Sequence, residues 1–322
     1  MGYDTSAFRR KFELPPSIDL RTWFPRHMSI QLKVMEGKLR TVDCIVEVHD
    51  ARIPLTGRNP QFFSSLYAAR PHILVMNKMD LVDLNKYKEP VEQYYKSRGV
   101  KKLLWTDCKK RTNAAIRSVS DAIIELIQAE PRFNRTIKTE YQVMVVGIPN
   151  VGKSALINSL RGTLLDNRKR ATKEGGRPGV TTRVQNRIRI CDKPLIYILD
   201  TPGVLTPEAR DVETGMKMAL CETILESAVG ITNIADYLLF YLNSRRDFDY
   251  VELLKLSEPC DDITKVLFRI CQQFDLRKEV VVPGEGRQER WDFDSAATQF
   301  VYLFRKHKLS DHCLDADKLL YG

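Results

Sequence analysis

The chain contains one segment whose residue types and spacing suit phosphate binding, GIPNVGKS at residues 147–154. It fits the pattern G-x-x-x-x-G-K-[ST] and lies between an apolar run and a helical pattern. Gly147 and Gly152 let the backbone wrap closely around phosphates, and the N–H groups at the helix start supply partial positive charge. Lys153 would reach the β and γ phosphates, and the hydroxyl of Ser154 would bind Mg²⁺. We therefore predict a nucleoside triphosphate site.

A second motif, DTPG at residues 200–203, follows the apolar strand pattern PLIYIL. The carboxylate of Asp200, at the end of a strand, can hold the Mg²⁺ shell. The N–H of Gly203 can contact the γ-phosphate and respond to its loss. The same residues would also suit a plain Pro-Gly turn, but their position downstream of a phosphate loop favours the nucleotide role.

A third motif, NKMD at residues 77–80, has the residues for recognising a guanine base. Asp80 can accept hydrogen bonds from the N1–H and the exocyclic amine of guanine, which adenine cannot donate. Asn77 can face the base edge, and the stem of Lys78 can cover the ring. A strand-ending turn is the alternative. Given the other two motifs, the pattern indicates GTP rather than ATP.

The order of the motifs points to a rearranged chain. The base motif precedes the phosphate loop, and no alternative [NT]KxD pattern follows DTPG. Opening a doubly wound sheet at a different loop leaves strand neighbours and loop positions unchanged, and chain ends near each other make it tolerable. We therefore predict a circularly permuted P-loop domain.

These motifs, in this order, resemble the circularly permuted GTPases of the RbgA/YlqF family, and within it the mitochondrial ribosome-associated members. The resemblance covers residues 21–322 and is carried by WFPRHM, EVHDARIPLTGRNP, NKMDL, GIPNVGKS, PGVTTR and LDTPGV. It implies GTP hydrolysis, with GTP as substrate, Mg²⁺ as cofactor and K⁺ as an activator. It also implies a set of GTP-binding residues: Asn77, Lys78, Met79, Asp80, Asn150, Val151, Gly152, Lys153, Ser154, Ala155 and Gly203.

The resemblance further implies ligands for the metal ions. Ser154 and Asp200 would belong to the Mg²⁺ shell. Thr181 best matches the switch threonine that closes over Mg²⁺ and the γ-phosphate, and Thr182 is the alternative. Asn150 matches an asparagine that ligates an activating potassium ion in related GTPases. The alternative is that Asn150 only forms hydrogen bonds within the loop.

The catalytic residue cannot be the usual one. Ras-like enzymes orient the attacking water with a glutamine after the DxxG glycine, whereas this chain has Val204 there. Relatives with an apolar residue at this place are thought to use the histidine of a W-F-P-G-H-M stretch, which here is His27. Its neutral imidazole could orient water or accept a proton, and a packing histidine is the alternative. Arg26 replaces the family glycine, and residues 106–108 depart from the usual second guanine loop.

Alternating apolar runs and helical patterns predict the elements that must position these motifs. An alternation of this kind is typical of an α/β domain with a mostly parallel, doubly wound sheet. Beyond residue 207 the patterns are mainly helical, with one short strand near residue 281. We predict an N-terminal segment with targeting features and the catalytic-histidine loop at 1–28, a permuted G domain at 29–206, and a smaller, mainly helical C-terminal domain at 207–322. The predicted strands are 41–49, 71–76, 101–106, 141–146, 187–191 and 195–199, and the predicted helices are 88–98, 113–129, 154–160, 208–227 and 231–243.

The charge balance favours a polyanionic partner. The chain has 51 Lys and Arg against 41 Asp and Glu, a net charge of +10, which suits RNA or an anionic membrane surface. Residues 161–189, the predicted switch region, hold nine basic and two acidic side chains. The seven cysteines form no CxxC pair and predict reduced thiols. No apolar run is long enough to span a membrane.

The resemblance implies a switch in the assembly of the mitochondrial large ribosomal subunit, and hence in mitochondrial translation, with rRNA and ribosomal proteins as partners. The chain would be a monomer in the mitochondrial matrix, with peripheral contact to the inner membrane. Arg9, Arg10 and Lys11 suit a transit segment, but Asp4 and Glu13 do not. The alternatives are an RNA or protein scaffold with incidental hydrolysis, and a cytosolic or nucleolar relative acting in ribosome assembly.

Overall fold

A computed structural model describes the chain in two compact units. The sheet unit contains Arg21–Ala209, Glu222–Ile224 and Cys313–Gly322, and the helical unit contains Met1–Leu20, Arg210–Cys221 and Leu225–His312. The domain boundaries predicted from the sequence lie at residues 28 and 206. The described residues are 6–16, 18, 26–62, 70–110, 114–129, 139–165, 187–205, 211–283, 286–306, 309 and 311–320.

The sheet unit is built on a six-stranded sheet with the strand order β3-β2-β1-β4-β6-β5. All neighbours pair in parallel except β5 and β6, which form an antiparallel edge pair. The predicted mostly parallel α/β fold is therefore confirmed. The strands are β1 Cys44–Asp50, β2 His72–Asn77, β3 Leu103–Thr106, β4 Glu140–Val146, β5 Arg187–Asp192 and β6 Leu195–Asp200, and the helices are α1 Arg26–Lys38, α2 Pro60–Phe62, α3 Leu84–Lys96, α4 Ala114–Ala129 and α5 Lys153–Leu164.

The central strands are covered on both faces, and most of their side chains are apolar; in β1 the exceptions are Glu47, His49 and Asp50, which are also buried. Every residue of β1 is buried, and β2 is buried from its second residue onward, as expected for parallel strands covered on both sides. The helix α3 buries Tyr87, Val91 and Tyr95, which are four residues apart and lie on one face. It starts before the predicted residue 88 because the side chain of Asp83 caps it by accepting from the N–H of Asn85.

Strand pairing places the three predicted motifs at one edge of the sheet. Asp50, the last residue of β1, pairs with Asn77, the last residue of β2, and Asn77 pairs with Thr106 at the end of β3. On the other side of β1, β4 pairs with β6, and Val145 lies opposite Asp200. The carboxyl ends of these parallel strands therefore hold the base motif, the phosphate loop and DTPG together, as ligand sites in such sheets require.

The helical unit contains Met1–Leu20, whereas the rest of the predicted N-terminal segment, residues 21–28, belongs to the sheet unit. Arg9 is bound by two carboxylates: its guanidinium donates to Asp236 at 2.8 and 3.0 Å and to Asp261 at 3.1 Å, and its backbone N–H donates to Asp261 at 2.7 Å. Phe12 packs edge-on against Tyr237 with ring centroids 5.2 Å apart. These contacts explain why Met1–Leu20 belongs to the helical unit.

The rest of the helical unit is mainly helical, as predicted, with two differences. The predicted helix 208–227 is two helices, because a turn interrupts it after Leu220. The single predicted strand is an antiparallel hairpin of two strands. Among the described helices, none is long and apolar enough to cross a lipid bilayer. The elements are α6 Val212–Leu220, α7 Glu226–Val229, α8 Ile231–Ser244, α9 Asp249–Leu253, α10 Ile263–Phe274, β7 Arg277–Val282, β8 Gly286–Trp291 and α11 Phe293–Arg305, and α12 Ala316–Leu320 lies in the sheet unit.

Candidate nucleotide-binding site

The phosphate loop connects β4 to α5, and both of its glycines have positive φ angles. Gly147 has φ +148° and Gly152 has φ +101°, conformations that favour glycine. A β-carbon at Gly147 would overlap the carbonyl oxygen of Val48 in β1, and one at Gly152 would overlap Nδ2 of Asn77. The close approach of β1 and of the NKMD loop thus demands glycine at both positions.

Lys153 begins α5, and its ammonium group lies inside the phosphate loop. Nζ donates to the carbonyl oxygens of Ile148 at 2.8 Å and Gly147 at 3.2 Å. Burial lowers the pKa of Lys153, and the carboxylate of Asp200 opposes this shift. A phosphate in the loop would supply the negative charge that a buried ammonium group needs.

Asp200 ends β6 and has a carboxylate oxygen suited to a metal ion. Burial raises the pKa of Asp200, although Lys153 opposes the shift. Oδ1 is buried and has no hydrogen-bond partner among the described residues, so the donor fits a magnesium shell. The described part holds no group of three or more His, Cys, Asp or Glu side chains suited to a metal.

The DTPG loop packs directly on the phosphate loop. A β-carbon at Gly203 would lie 2.5 Å from the backbone nitrogen of Pro149, so the approach leaves room only for glycine. The N–H of Val204 donates to the carbonyl oxygen of Gly147 at 3.3 Å. Val204 is fully buried, and its carbonyl accepts from Nδ2 of Asn59 at 3.3 Å. The apolar side chain at the usual glutamine position is therefore part of the core.

Asn77 joins the base motif to the phosphate loop. Its Nδ2 donates to the carbonyl oxygen of Val151 at 2.7 Å. Its Oδ1 accepts from the hydroxyl of Thr106 and from the N–H of Cys108, each at 3.2 Å. One buried amide thus joins the loops that follow β2, β3 and β4. From the sequence, only a contact with the base was predicted for Asn77.

Lys78 is held by an acidic residue that the sequence analysis had not assigned. Its Nζ donates to Oδ2 of Asp50 at 2.8 Å, and Arg52 donates to both oxygens of the same carboxylate at 3.0 and 2.7 Å. Burial opposes ionisation of Asp50, but Arg52 and Lys78 outweigh it and hold its pKa well below the usual range. Lys78 has a φ of 61°, and the short 3-10 helix Met79–Leu81 follows, with Asp80 exposed on it.

The loop after β3 is the predicted second guanine loop, and the structure places it next to the first. Thr106, Asp107 and Cys108 are all buried. The carbonyl oxygen of Cys108 accepts from the hydroxyl of Ser159 in α5 at 3.2 Å. The backbone of this loop is thus fixed between Asn77 and the helix that begins at the phosphate loop.

The other predicted site residues divide into described and undescribed positions. Asn150 has a φ of 58° and donates from Nδ2 to the carbonyl oxygen of Glu222 at 2.8 Å. Val151 is buried, and Ser154 and Ala155 lie half-buried in the first turn of α5. The backbone of His27 lies in the first turn of α1, but its side chain is outside the described part of the chain. Thr181 and Thr182 are also outside the described part.

Sequence reasoning missed Asp50, Arg52 and Asn59 as members of the site. All three are polar and almost fully buried, and they lie in the segment EVHDARIPLTGRNP. For Asp50 and Arg52 the signal that could have found them is an acid and a base at the end of a mostly apolar strand, because such a pair at a strand end lies at the ligand edge of the sheet.

Taken together, the phosphate loop, the strand-end carboxylate and the NKMD loop define a P-loop nucleotide-binding protein with a permuted order of motifs. A family model described as 50S ribosome-binding GTPase matches residues 142–272. That match includes the phosphate loop and DTPG but not NKMD, which lies upstream of it.

Comparison with known proteins agrees over almost the whole chain. The chain is 44% identical over 317 residues to the mitochondrial ribosome-associated GTPase 1 of Bos taurus, covering 98% of this chain and 94% of the relative. It is 41% identical to the mitochondrial GTPase 1 of Aedes aegypti, covering 98% of this chain and 100% of the relative. The GNP-bound crystal structure of YlqF from T. maritima has the same fold, with a TM-score of 0.50 and 18% identity over 85% of this chain and 92% of that one. The chain therefore belongs to the family of mitochondrial ribosome-associated GTPases, and it is a circularly permuted GTPase.

Proposed function

We propose that this GTPase is a nucleotide-dependent switch in the assembly of the mitochondrial large ribosomal subunit, and hence in mitochondrial translation. The observation that carries the GTP-dependent part is the bridge from Asn77 to Val151, because it fixes a guanine loop and a phosphate loop as one site. The names of the relatives support the ribosomal part, and the net charge of +10 suits an rRNA partner.

The GTP site would use the residues predicted from the motifs. The phosphates would lie in the loop from Asn150 to Ala155, with Lys153 turning from backbone carbonyls to the β and γ phosphates. Asp80 is exposed on the base loop and would accept from guanine. Mg²⁺ would neutralise charge on the phosphates, held by Ser154 and Asp200, with Thr181 closing over it.

His27 would orient the attacking water. Val204 cannot, because its side chain is apolar and buried. His27 lies in the first turn of α1 within the sheet unit, and a neutral imidazole can accept a hydrogen bond from water. Contact with the ribosome would bring His27 or an rRNA group to the γ-phosphate, and loss of that phosphate would favour release.

The first experiment is GTP hydrolysis with and without purified mitochondrial large subunits, at saturating GTP and in potassium buffer. We expect the subunits to accelerate the parent protein and His27→Ala to remove that acceleration while GTP binding persists. Lys33→Ala, an exposed residue further along α1, is the matched control. If subunits do not change the rate of the parent, the scaffold alternative replaces the switch.

The remaining parts of the proposal need separate measurements. Replacing potassium by sodium tests Asn150 as an ion ligand, and a slower rate in sodium is expected. Imaging of the tagged full-length protein tests mitochondrial against cytosolic or nucleolar location. Salt extraction of mitochondrial membranes tests peripheral contact with the inner membrane, and light scattering of the purified protein tests the expected monomer.

A further inference from the structure

The last described segment, residues 313–320, lies in the sheet unit, although the chain before it belongs to the helical unit. Of the two acidic residues in this segment, Asp315 is fully buried and Asp317 is exposed. Oδ2 of Asp315 accepts from the N–H groups of Leu55 and Thr56, both at 2.8 Å, and Oδ1 accepts from the hydroxyl of Thr56 at 2.5 Å. We call this segment the C-terminal brace. Its carboxylate fixes the loop that follows β1.

The same loop is fixed at its other end by the base site. The N–H of Leu314 donates to the carbonyl oxygen of Arg52 at 2.8 Å. Arg52 in turn binds Asp50, and Asp50 binds Lys78 of the NKMD motif. A continuous chain of short polar contacts thus joins the brace to the guanine loop.

The apolar side of the brace packs on residues next to both guanine loops. Cys313 and Ala316 form a buried cluster with Ala51, Val82 and Tyr87. Val82 comes two residues after Asp80. The partly buried side chains packed against this cluster are Leu84, Trp105, Leu319 and Leu320, and Trp105 comes directly before Thr106, which binds Asn77.

The buried carboxylate of Asp315 needs hydrogen bonds that compensate for its removal from water. Burial of a charge is costly unless hydrogen bonds compensate it, and these bonds are directional. The apolar cluster alone could hold the brace on the sheet unit, but it would allow the loop at residues 51–56 to shift. The three bonds to Asp315 set the position of that loop, and through Arg52 and Asp50 they set the position of Lys78.

We infer that Asp315 is a positioning residue for guanine recognition, acting through the loop after β1. The inference rests on the proposed GTP site, in which Asp80 accepts from the guanine base. It predicts that loss of the Asp315 bonds weakens the selection of guanine more than it weakens the chemical step.

The test compares GTP with inosine triphosphate, which lacks the exocyclic amine that Asp80 would bind. The parent should prefer GTP by about tenfold in kcat/KM, because a hydrogen bond to a charged group contributes about that factor. Asp80→Asn should abolish the preference. Asp315→Ala, which removes the acceptor oxygens, should lower it at least about threefold, through a higher KM for GTP with kcat unchanged. Asp317→Asn, an exposed acid of the same brace, should behave as the parent.

A purely structural role is distinguished by measuring thermal unfolding of the same variants. If Asp315→Ala lowers the unfolding temperature but leaves the preference for GTP over inosine triphosphate unchanged, the inference is wrong. If this variant does not fold, Thr56→Val, which removes only the hydroxyl donor, decides in its place by the same ratio. A parent without any preference, or an Asp80→Asn variant that keeps it, would instead overturn the proposed guanine site.

Discussion

The bridge made by Asn77 provides the most direct test of how this site is held together. In Asn77→Ala, the carbonyl oxygen of Val151 loses its donor at 2.7 Å, and the N–H of Cys108 loses its acceptor at 3.2 Å. Both residues are buried, and an unsatisfied buried polar group costs about 1–3 kcal/mol. The hydroxyl of Thr106 can turn to another acceptor, so it adds little. We expect a loss of about 2–4 kcal/mol in the free energy of unfolding.

The same substitution should weaken GTP binding beyond its effect on stability. Asn77 fixes the loop of Val151 relative to the loop of Lys78, so without it the phosphates and the base no longer meet a single rigid site. We expect the dissociation constant for GTP to rise by at least about tenfold, or about 1.4 kcal/mol.

Two measurements on the same variants check this reasoning. Urea unfolding without nucleotide gives the stability, and titration with a fluorescent guanine nucleotide gives the affinity. Asn85→Ala, an exposed asparagine in α3, is the control and should change stability by less than about 0.5 kcal/mol. An Asn77→Ala protein with the stability and the affinity of the control would refute the argument that this amide holds the loops together.

Three further predictions concern other parts of the molecule. Asp200→Asn should remove the magnesium dependence of GTP hydrolysis together with most of the rate, measured by phosphate release at increasing Mg²⁺. Burial lowers the pKa of His72, so the folded state binds fewer protons at this residue than the unfolded state. The stability that His72 contributes should therefore fall as pH drops through about 6.5, by up to about 1.4 kcal/mol per pH unit, whereas the raised pKa of Asp200 acts in the opposite direction. Between pH 7.5 and 5.5, urea unfolding should show a loss of stability in the parent relative to His72→Gln. Arg9→Ala should destabilise the helical unit by about 1–2 kcal/mol, discounted for the partial exposure of the pair, whereas Lys11→Ala, whose side chain is 83% exposed, should have no measurable effect.

The sheet and the three motifs could be predicted from sequence because their signals are local. An apolar run such as ILVM in β2 indicates a covered parallel strand, and a glycine loop before a helix indicates a phosphate site. Even the permuted order follows from local signals, since it needs only the positions of NKMD and GIPNVGKS. Element boundaries differed by a few residues, and at the start of α3 the cap residue Asp83 decides where the helix begins.

The contacts that hold the site together could not be predicted, because they join residues far apart in the chain. Nothing near Asp315 in sequence indicates that its carboxylate accepts from Leu55 and Thr56. Arg9 is a second example: it lies in a run of basic residues near the N-terminus, and its partners, Asp236 and Asp261, are more than two hundred residues away. Local composition cannot show that such a charge is paired.

Strand pairing explains why a permuted chain can keep a GTP site. The base loop and the phosphate loop lie together because β1 pairs with both β2 and β4, and this pairing does not depend on which strand comes first. What permutation changes is where the chain ends lie. In this chain the segment that follows the helical unit returns to the sheet unit, and its Asp315 binds the loop after β1, next to the guanine loop. The order of the chain therefore brings a C-terminal segment close to the site of base recognition, where a change in that segment can alter nucleotide affinity without touching the phosphate loop.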